Sequence, residues 1–264
     1  MKFFSVLILF ILSAIASLLI SPVQCKAAPD NIEKNFSNNE GSHFTVKFDG
    51  TENAETGHII MILLEEAYIK IGSDIGYYPA DRIVAVLYSR EQFSDITKFT
   101  SWVSAIYDGK IKLPVGGITR RTSLLEKVLF HEYTHALVHM LSRGRAPTWL
   151  NEGIAQYEDG TRDGVYSNIL TSVAKGRMAV NISSLEGSFM AFNNSSARAA
   201  YAVSISMTEY IINEFGISAV RNILERVGNG ESLNNAILNS LRMSYADLQE
   251  NWIRNLKKRY TAGD

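Results

Sequence analysis

Two spacings of apolar residues divide this chain, with period-two alternation near its start and helical spacing over most of the rest. Phe44-Thr45-Val46-Lys47-Phe48 alternates apolar with polar and closes at Asp49-Gly50, which predicts a half-buried strand and a turn. From about Ala54 to Ile71 the pattern becomes helical and strongly apolar. Ile83 to Tyr88 is an unbroken apolar run of strand length, the mark of a strand buried on both faces. Between Trp102 and Leu113, Asp108-Gly109 supplies a tight turn, and Ile111 and Leu113 alternate with Lys110 and Lys112. This predicts a hairpin whose lysines point outward and guard a sheet edge.

The remainder reads as helices. Ser123-Leu124-Leu125-Glu126 has the form of a capping box. The helix it opens runs through Leu125, Val128, Leu129, Ala136, Leu137 and Met140 and stops near Gly144, with Pro147 beyond. A short helix carries Trp149 to Tyr157. Further helices cover Ala197–Phe215, Ile217–Val227 and about Leu233 to Leu241. The last opens at Ser244-x-x-Asp247 and ends in Lys257-Lys258-Arg259, basic residues suited to a helix C-terminus. Strands come first and helices later, which predicts an α+β fold.

The first residues follow a different rule. Lys2 precedes an apolar run from Phe3 to Ile20, and a short polar exit follows it, so residues 1–25 are expected to be a secretory signal peptide. Val23 and Cys25 suit cleavage before Lys26. The run is also long enough to stay as a single-span anchor. Either outcome places the body outside the cytoplasm, secreted or in the periplasm or cell envelope. Gln24 is too bulky for a lipid-attachment signal at Cys25. Residues 26–42 are polar and rich in Asn, Ser and Lys, a linker by composition, which leaves 43–262 as one domain. Cys25 is the only cysteine, so no disulfide holds the body together. A formal net charge of -1 offers no electrostatic case for nucleic acid. A membrane partner is expected only through an uncleaved leader.

The candidate chemistry lies in His131-Glu132-Tyr133-Thr134-His135. Two histidines four apart on a helix are separated by ~400° of rotation and ~6 Å of rise, so both imidazoles leave from nearly one face. That separation lets both nitrogens share one zinc ion at ~2.0–2.1 Å. Glu132, beside the first histidine, can take the proton of an attacking water. A catalytic zinc needs a third protein ligand. His139 lies ~12 Å along the axis from His131 and ~80° around it, too far to close on the same ion. Glu152 is the better candidate, because a chain reversal at Gly144–Pro147 and a second helix bring its carboxylate back. Glu158 and Asp159 read as solvated loop acids, His43 and His58 fit no cluster, and Gly153 reads as a place where two helices approach closely.

Together with the histidine motif, Trp149-Leu150-Asn151-Glu152-Gly153-Ile154-Ala155 resembles the gluzincin metallopeptidases, in particular bacterial peptidase MA-like domains, and more distantly the aminopeptidase N-like and thermolysin-like enzymes. The resemblance implies a zincin-like fold, a small mixed sheet with an edge strand over the active-site helix, followed by an all-helical part. It also implies one Zn2+ held by His131, His135 and Glu152, with Glu132 as base. Tyr201 is similar to the tyrosine opening the corresponding helix in MA-like domains, which implies a role in stabilising the oxyanion. Its alternative place is in the apolar stripe with Ile205, Thr208 and Ile212.

Two departures stand out. Thermolysin-like members carry an Asp four residues beyond the glutamate ligand, where this chain has Gln156, whose carbonyl can still accept from an imidazole N–H. Aminopeptidases carry an amine-binding Glu upstream, and the corresponding Leu113 to Gly117 holds no acid. The expected activity is hydrolysis of peptide or protein substrates, probing the interior of a chain, with the Gly109–Leu113 strand pairing to the substrate backbone. The rival readings are a zinc hydrolase of small amides or cell-wall peptides, and a metal-stabilised binding module without catalysis.

Overall fold

The computed structural model describes residues 32–50, 53–97, 105–116 and 118–261. The expected leader and Trp102 lie outside them. Among the described residues no helix is long and apolar enough to cross a membrane. The described residues group into two compact units, one within 1–73 and 77–136, the other within 74–76 and 137–261.

The first unit carries a five-stranded mixed sheet: β1 (Ser37–Glu40), β2 (Phe44–Phe48), β3 (Ile83–Tyr88), β4 (Ile106–Tyr107) and β5 (Ile111–Pro114), in the order β1-β2-β3-β5-β4. β2 behaves as its alternation requires, with Phe44, Val46 and Phe48 buried and Thr45 and Lys47 half-buried. β3 lies between parallel partners, Phe44 opposite Ile83 and Leu87 opposite Leu113, and all its residues but half-buried Val84 are buried, as its continuous apolar run requires. β1 is built from polar residues with little burial, and its antiparallel ladder to β2 holds it.

The hairpin forms, but its lysines differ from expectation. β5 is the second strand from the edge and two-residue β4 is the edge itself. Lys112 is buried, and its ammonium lies 2.6 Å from Asp108. Lys110 lies 2.7 Å from Glu33. Burial opposes ionisation of Glu33, yet hydrogen bonds from Lys110 and Tyr88 hold its carboxyl below the usual range. The aliphatic stems pack while the charged tips are neutralised by acids four residues back or on another segment, so these lysines are not outward guards.

Helix α1 (Ala54–Ile75) buries Ile60, Leu63, Leu64, Ala67 and Ile71, which recur at helical spacing. His43 finds a place there: Nδ1 lies 2.6 Å from Glu65, and its ring stacks on Tyr68 at 3.6 Å. Short helix α2 (Arg90–Thr97) follows β3. Helix α3 (Ser123–Ser142) presents Tyr133 to Phe44 and Tyr68, with centroids 5.4 and 6.3 Å away. Its cap is Thr122 and not the expected box. Thr122 Oγ1 accepts from the Leu125 N–H at 3.1 Å, while Glu126 accepts from Arg121. The hydroxyl one residue earlier reaches the free first-turn donor, and the arginine takes the glutamate that a box would need.

The second unit is helical: α4 (Thr148–Glu158), α5 (Ser167–Ala174), α6 (Asn194–Phe215), α7 (Ile217–Gly228), α8 (Leu233–Leu241) and α9 (Tyr245–Tyr260). The expected Ser244–Asp247 capping box opens α9. α9 is tied back by Arg259, whose two nitrogens lie 2.6 and 2.8 Å from the carboxylate of buried Asp163. Glu209 shares that pocket, and burial, then the charge of Asp163, push its carboxyl up to about 7.

Candidate active site

Helix α3 delivers the first three residues of interest. His131, Glu132 and His135 are 1–2% exposed. The two imidazole rings stand 4.7 Å apart, nearly perpendicular, as the four-residue spacing on one helix face requires. The helix then ends by a defined reversal. Arg143 and Gly144 both take positive φ, and the Gly144 N–H returns to the His139 carbonyl at 2.9 Å. Only a residue without Cβ takes Gly144's conformation at low cost. Pro147, extended and lacking an N–H, then starts α4.

Helix α4 is buried along almost its whole length. Trp149 is fully buried and stacks near Tyr245, and the Thr148 N–H donates to the Glu186 carbonyl at 3.0 Å. These contacts anchor the turn before Glu152, itself 1% exposed. Gly153 is a close-approach position. A Cβ there would collide with Thr208 Oγ1 and the Ser204 carbonyl oxygen on α6, and would lie 2.9 Å from the Ser204 carbonyl carbon. Because the obstacle is helix backbone, it cannot rotate away. Gly153→Ala is therefore expected to lower stability by about 1–3 kcal/mol through overpacking, read as reduced thermal unfolding temperature of the metal-free protein. Wild-type stability in that variant would show that α4 and α6 have room to separate.

His131, His135 and Glu152 come together: each offers one ligand atom, and these atoms lie within 4.8 Å of one another. His139 is outside this group and exposed, with its ring over Gly144. Two imidazoles and a carboxylate are a donor set for a divalent transition ion. Together with Glu132 they place two acids and two imidazoles in a buried region, an arrangement whose desolvation cost a divalent cation offsets. The residues present therefore fit a metal ion.

Other site expectations fare differently. Tyr201 is buried on α6 with its ring edge against Phe189 at 5.5 Å. Glu158 is 2% exposed and so is not a solvated loop acid; it ends a helix that is buried nearly all round. Asp159 turns its carboxylate inward on its own loop, accepting from the Thr161 N–H and hydroxyl at 2.8 and 2.6 Å. Gln156 donates from Nε2 to the Tyr166 hydroxyl oxygen at 3.1 Å, and its buried carbonyl oxygen has no hydrogen-bond partner. Tyr166 carried no sequence signal, since it lies on a short 3-10 turn (Asp163–Tyr166) outside both motifs.

No curated protein matches the chain. A family model does, described as the Peptidase MA superfamily, over residues 64–258. The mixed sheet, followed by a mostly helical C-terminal part, is the architecture of a zincin-like fold. With that match over most of its length, the chain belongs to the peptidase MA superfamily and carries a gluzincin-like peptidase domain.

Proposed function

We propose that the protein is an exported, zinc-dependent endopeptidase. The observation that carries the reading is the buried His131/His135/Glu152 group, with its ligand atoms within 4.8 Å, on a chain whose family is peptidases. In this reading those three side chains hold zinc. When bound there, zinc supplies Lewis acidity toward a scissile carbonyl and lowers the pKa of water. Glu132, adjacent to His131 and buried, accepts the proton of the attacking water and passes it to the leaving amine. Tyr201 donates to the negative charge that develops on the carbonyl oxygen. Ser204, on the same helix as Tyr201, packs on Gly153 beside Glu152. Export rests on the basic, apolar and polar succession of the leader.

Internal cleavage rests on charge. An enzyme reading a free N-terminus needs a fixed negative charge to hold the ammonium, and Leu113 to Gly117 contains no acid. The neighbouring hairpin offers Lys110 and Lys112, whose acidic partners Glu33 and Asp108 are already engaged. Among the described residues the last strand on that side of the sheet is β4, so in this reading β4, in place of 109–113, pairs with the substrate backbone.

The test compares a cleaved peptide with its N-acetylated twin, each with and without a chelator. Both should be cut at similar rates, lose cleavage on chelation and regain it with Zn2+. Cleavage abolished by acetylation would make the enzyme an aminopeptidase. Undiminished cleavage after complete metal removal would remove the zinc mechanism.

A further inference from the structure

We propose that the facing carboxyls of Asp163 and Glu209, beneath the Arg259 fork, form a proton-operated latch on the C-terminal helix. With a proton between them, α9 is closed onto α6 and the Asp163–Tyr166 turn. Loss of that proton loosens the last turns of α9. The latch lies wholly in the helical unit and needs no metal.

Its parts come from three elements. Asp163, 3% exposed, opens the 3-10 turn and accepts from both Arg259 nitrogens and, at 3.2 Å, from the Ser206 hydroxyl. Ser206 in turn accepts from the Trp252 indole N–H at 3.0 Å. Helix α9 is thus joined to one carboxylate twice, directly through Arg259 and through Trp252 by way of α6. Glu209, 8% exposed on α6, accepts from the Asp163 N–H at 3.3 Å, and its carboxyl is within hydrogen-bonding reach of the Asp163 carboxyl. Two carboxyls join in a hydrogen bond only when one of them carries a proton.

The surroundings place that proton on Glu209. Asp163 already has the Arg259 and Ser206 donors. Glu209 has a cation 3.8 Å away in Arg162, but that side chain is more than half exposed and also donates to the Tyr157 and Thr161 carbonyls. Tyr260 of α9 faces the pair as a neutral phenol, because burial and then Asp163 push its hydroxyl up. Helix α5 has no ionisable residue, and α4 meets α6 through Gly153. The arginines of α7 pair with Glu225 and Glu231. Burial, then the charge of Asp163, therefore prevail, and the Glu209 carboxyl is raised from 4.5 to about 7. Closure is favoured most below the ordinary value of 4.5, weakens as pH rises, and has lost this contribution above about 7.

The experiment follows hydrogen exchange at the Arg254–Tyr260 amides, as protection relative to the intrinsic rate, from pH ~5 to pH ~8 in wild type, Glu209→Gln and Arg259→Gln. Wild type should lose at least ~10-fold in protection over that range, since one pH unit inside the window is worth up to about tenfold. Helix α7 should keep its own protection. Glu209→Gln still offers a donor toward Asp163 and cannot ionise, so it should hold the acid-pH protection throughout. Arg259→Gln cuts the tie and should show the loosened value already at the acid end.

A wild-type profile flat within ~3-fold would overturn the latch, as would an equal fall in Glu209→Gln or full acid-pH protection in Arg259→Gln. Metal release cannot mimic the result, because histidine ligands lose their ion on acidification, which is the opposite direction. Should Glu209→Gln lose its fold, Glu209→Met, equally unable to ionise, takes its place and must flatten the profile. Wild type alone also carries the test: a midpoint in the ordinary carboxylate range, and not near neutral, would overturn the latch.

Discussion

Glu132→Gln is expected to keep the fold and bind Zn2+ at full stoichiometry while losing ~10²–10⁴-fold in turnover, the range typical of a lost general base. Glu132 is 1% exposed on a helix whose neighbouring positions are also buried. Glutamine matches its volume, so packing is kept and no cavity opens. The amide cannot accept a proton at neutral pH, so the step that Glu132 performs is removed and little else changes. Steady-state rates on a cleaved peptide, with zinc content measured on the same sample, check this. A zinc-loaded Glu132→Gln protein with wild-type turnover would eliminate Glu132 as the base. The binding-module reading predicts instead that neither wild type nor Glu132→Gln cleaves the peptide, because there the side chain only packs.

Glu152→Ala should largely lose zinc. The variant removes one of three donor side chains whose ligand atoms lie within 4.8 Å, so the loss should exceed the ~10–100-fold that follows from disturbing a partner one layer further out. Because an ion that binds only the folded chain stabilises it, the rise in unfolding temperature on adding Zn2+ should also shrink or disappear. His139→Ala supplies the control. Its ring lies on an exposed part of α3 over Gly144, outside the ligand group, so zinc affinity should not change. Metal analysis after dialysis decides the assignment: full affinity in Glu152→Ala together with loss in His139→Ala would reverse it.

These predictions differ in how much of their basis the linear chain already holds. The pairing of His131 with His135 needs only 3.6 residues per turn, so a local rule suffices. The same holds for β2, whose alternation names its buried face, and for β3, whose unbroken apolar run anticipates burial of nearly every side chain. The Ser244–Asp247 box and the stop at Gly144 are equally local, since each is decided by backbone groups within a few residues.

Where a side chain has two possible partners, local rules no longer suffice. Ser123 and Glu126 have the spacing of a capping box, yet Arg121 engages the acid and Thr122 supplies the cap. Lys110 and Lys112 alternate like outward residues, but Glu33, far away in sequence, and Asp108 neutralise them against the sheet. His43 shows no pattern in sequence and gains its role only when α1 brings Glu65 and Tyr68 to it.

Sequence alone therefore determined the fold class, the helix that carries the histidines and, through a family resemblance, the identity of the third candidate ligand. Tertiary structure decided the rest: that Glu152 approaches both imidazoles, that Gly153 leaves no room for a methyl group against α6, that Glu158 is buried, and that Gln156 is held by Tyr166. The reason is physical. Periodicity and capping depend on neighbours along the chain, whereas burial and hydrogen-bond partnership depend on which distant groups the packed helices bring within a few ångströms.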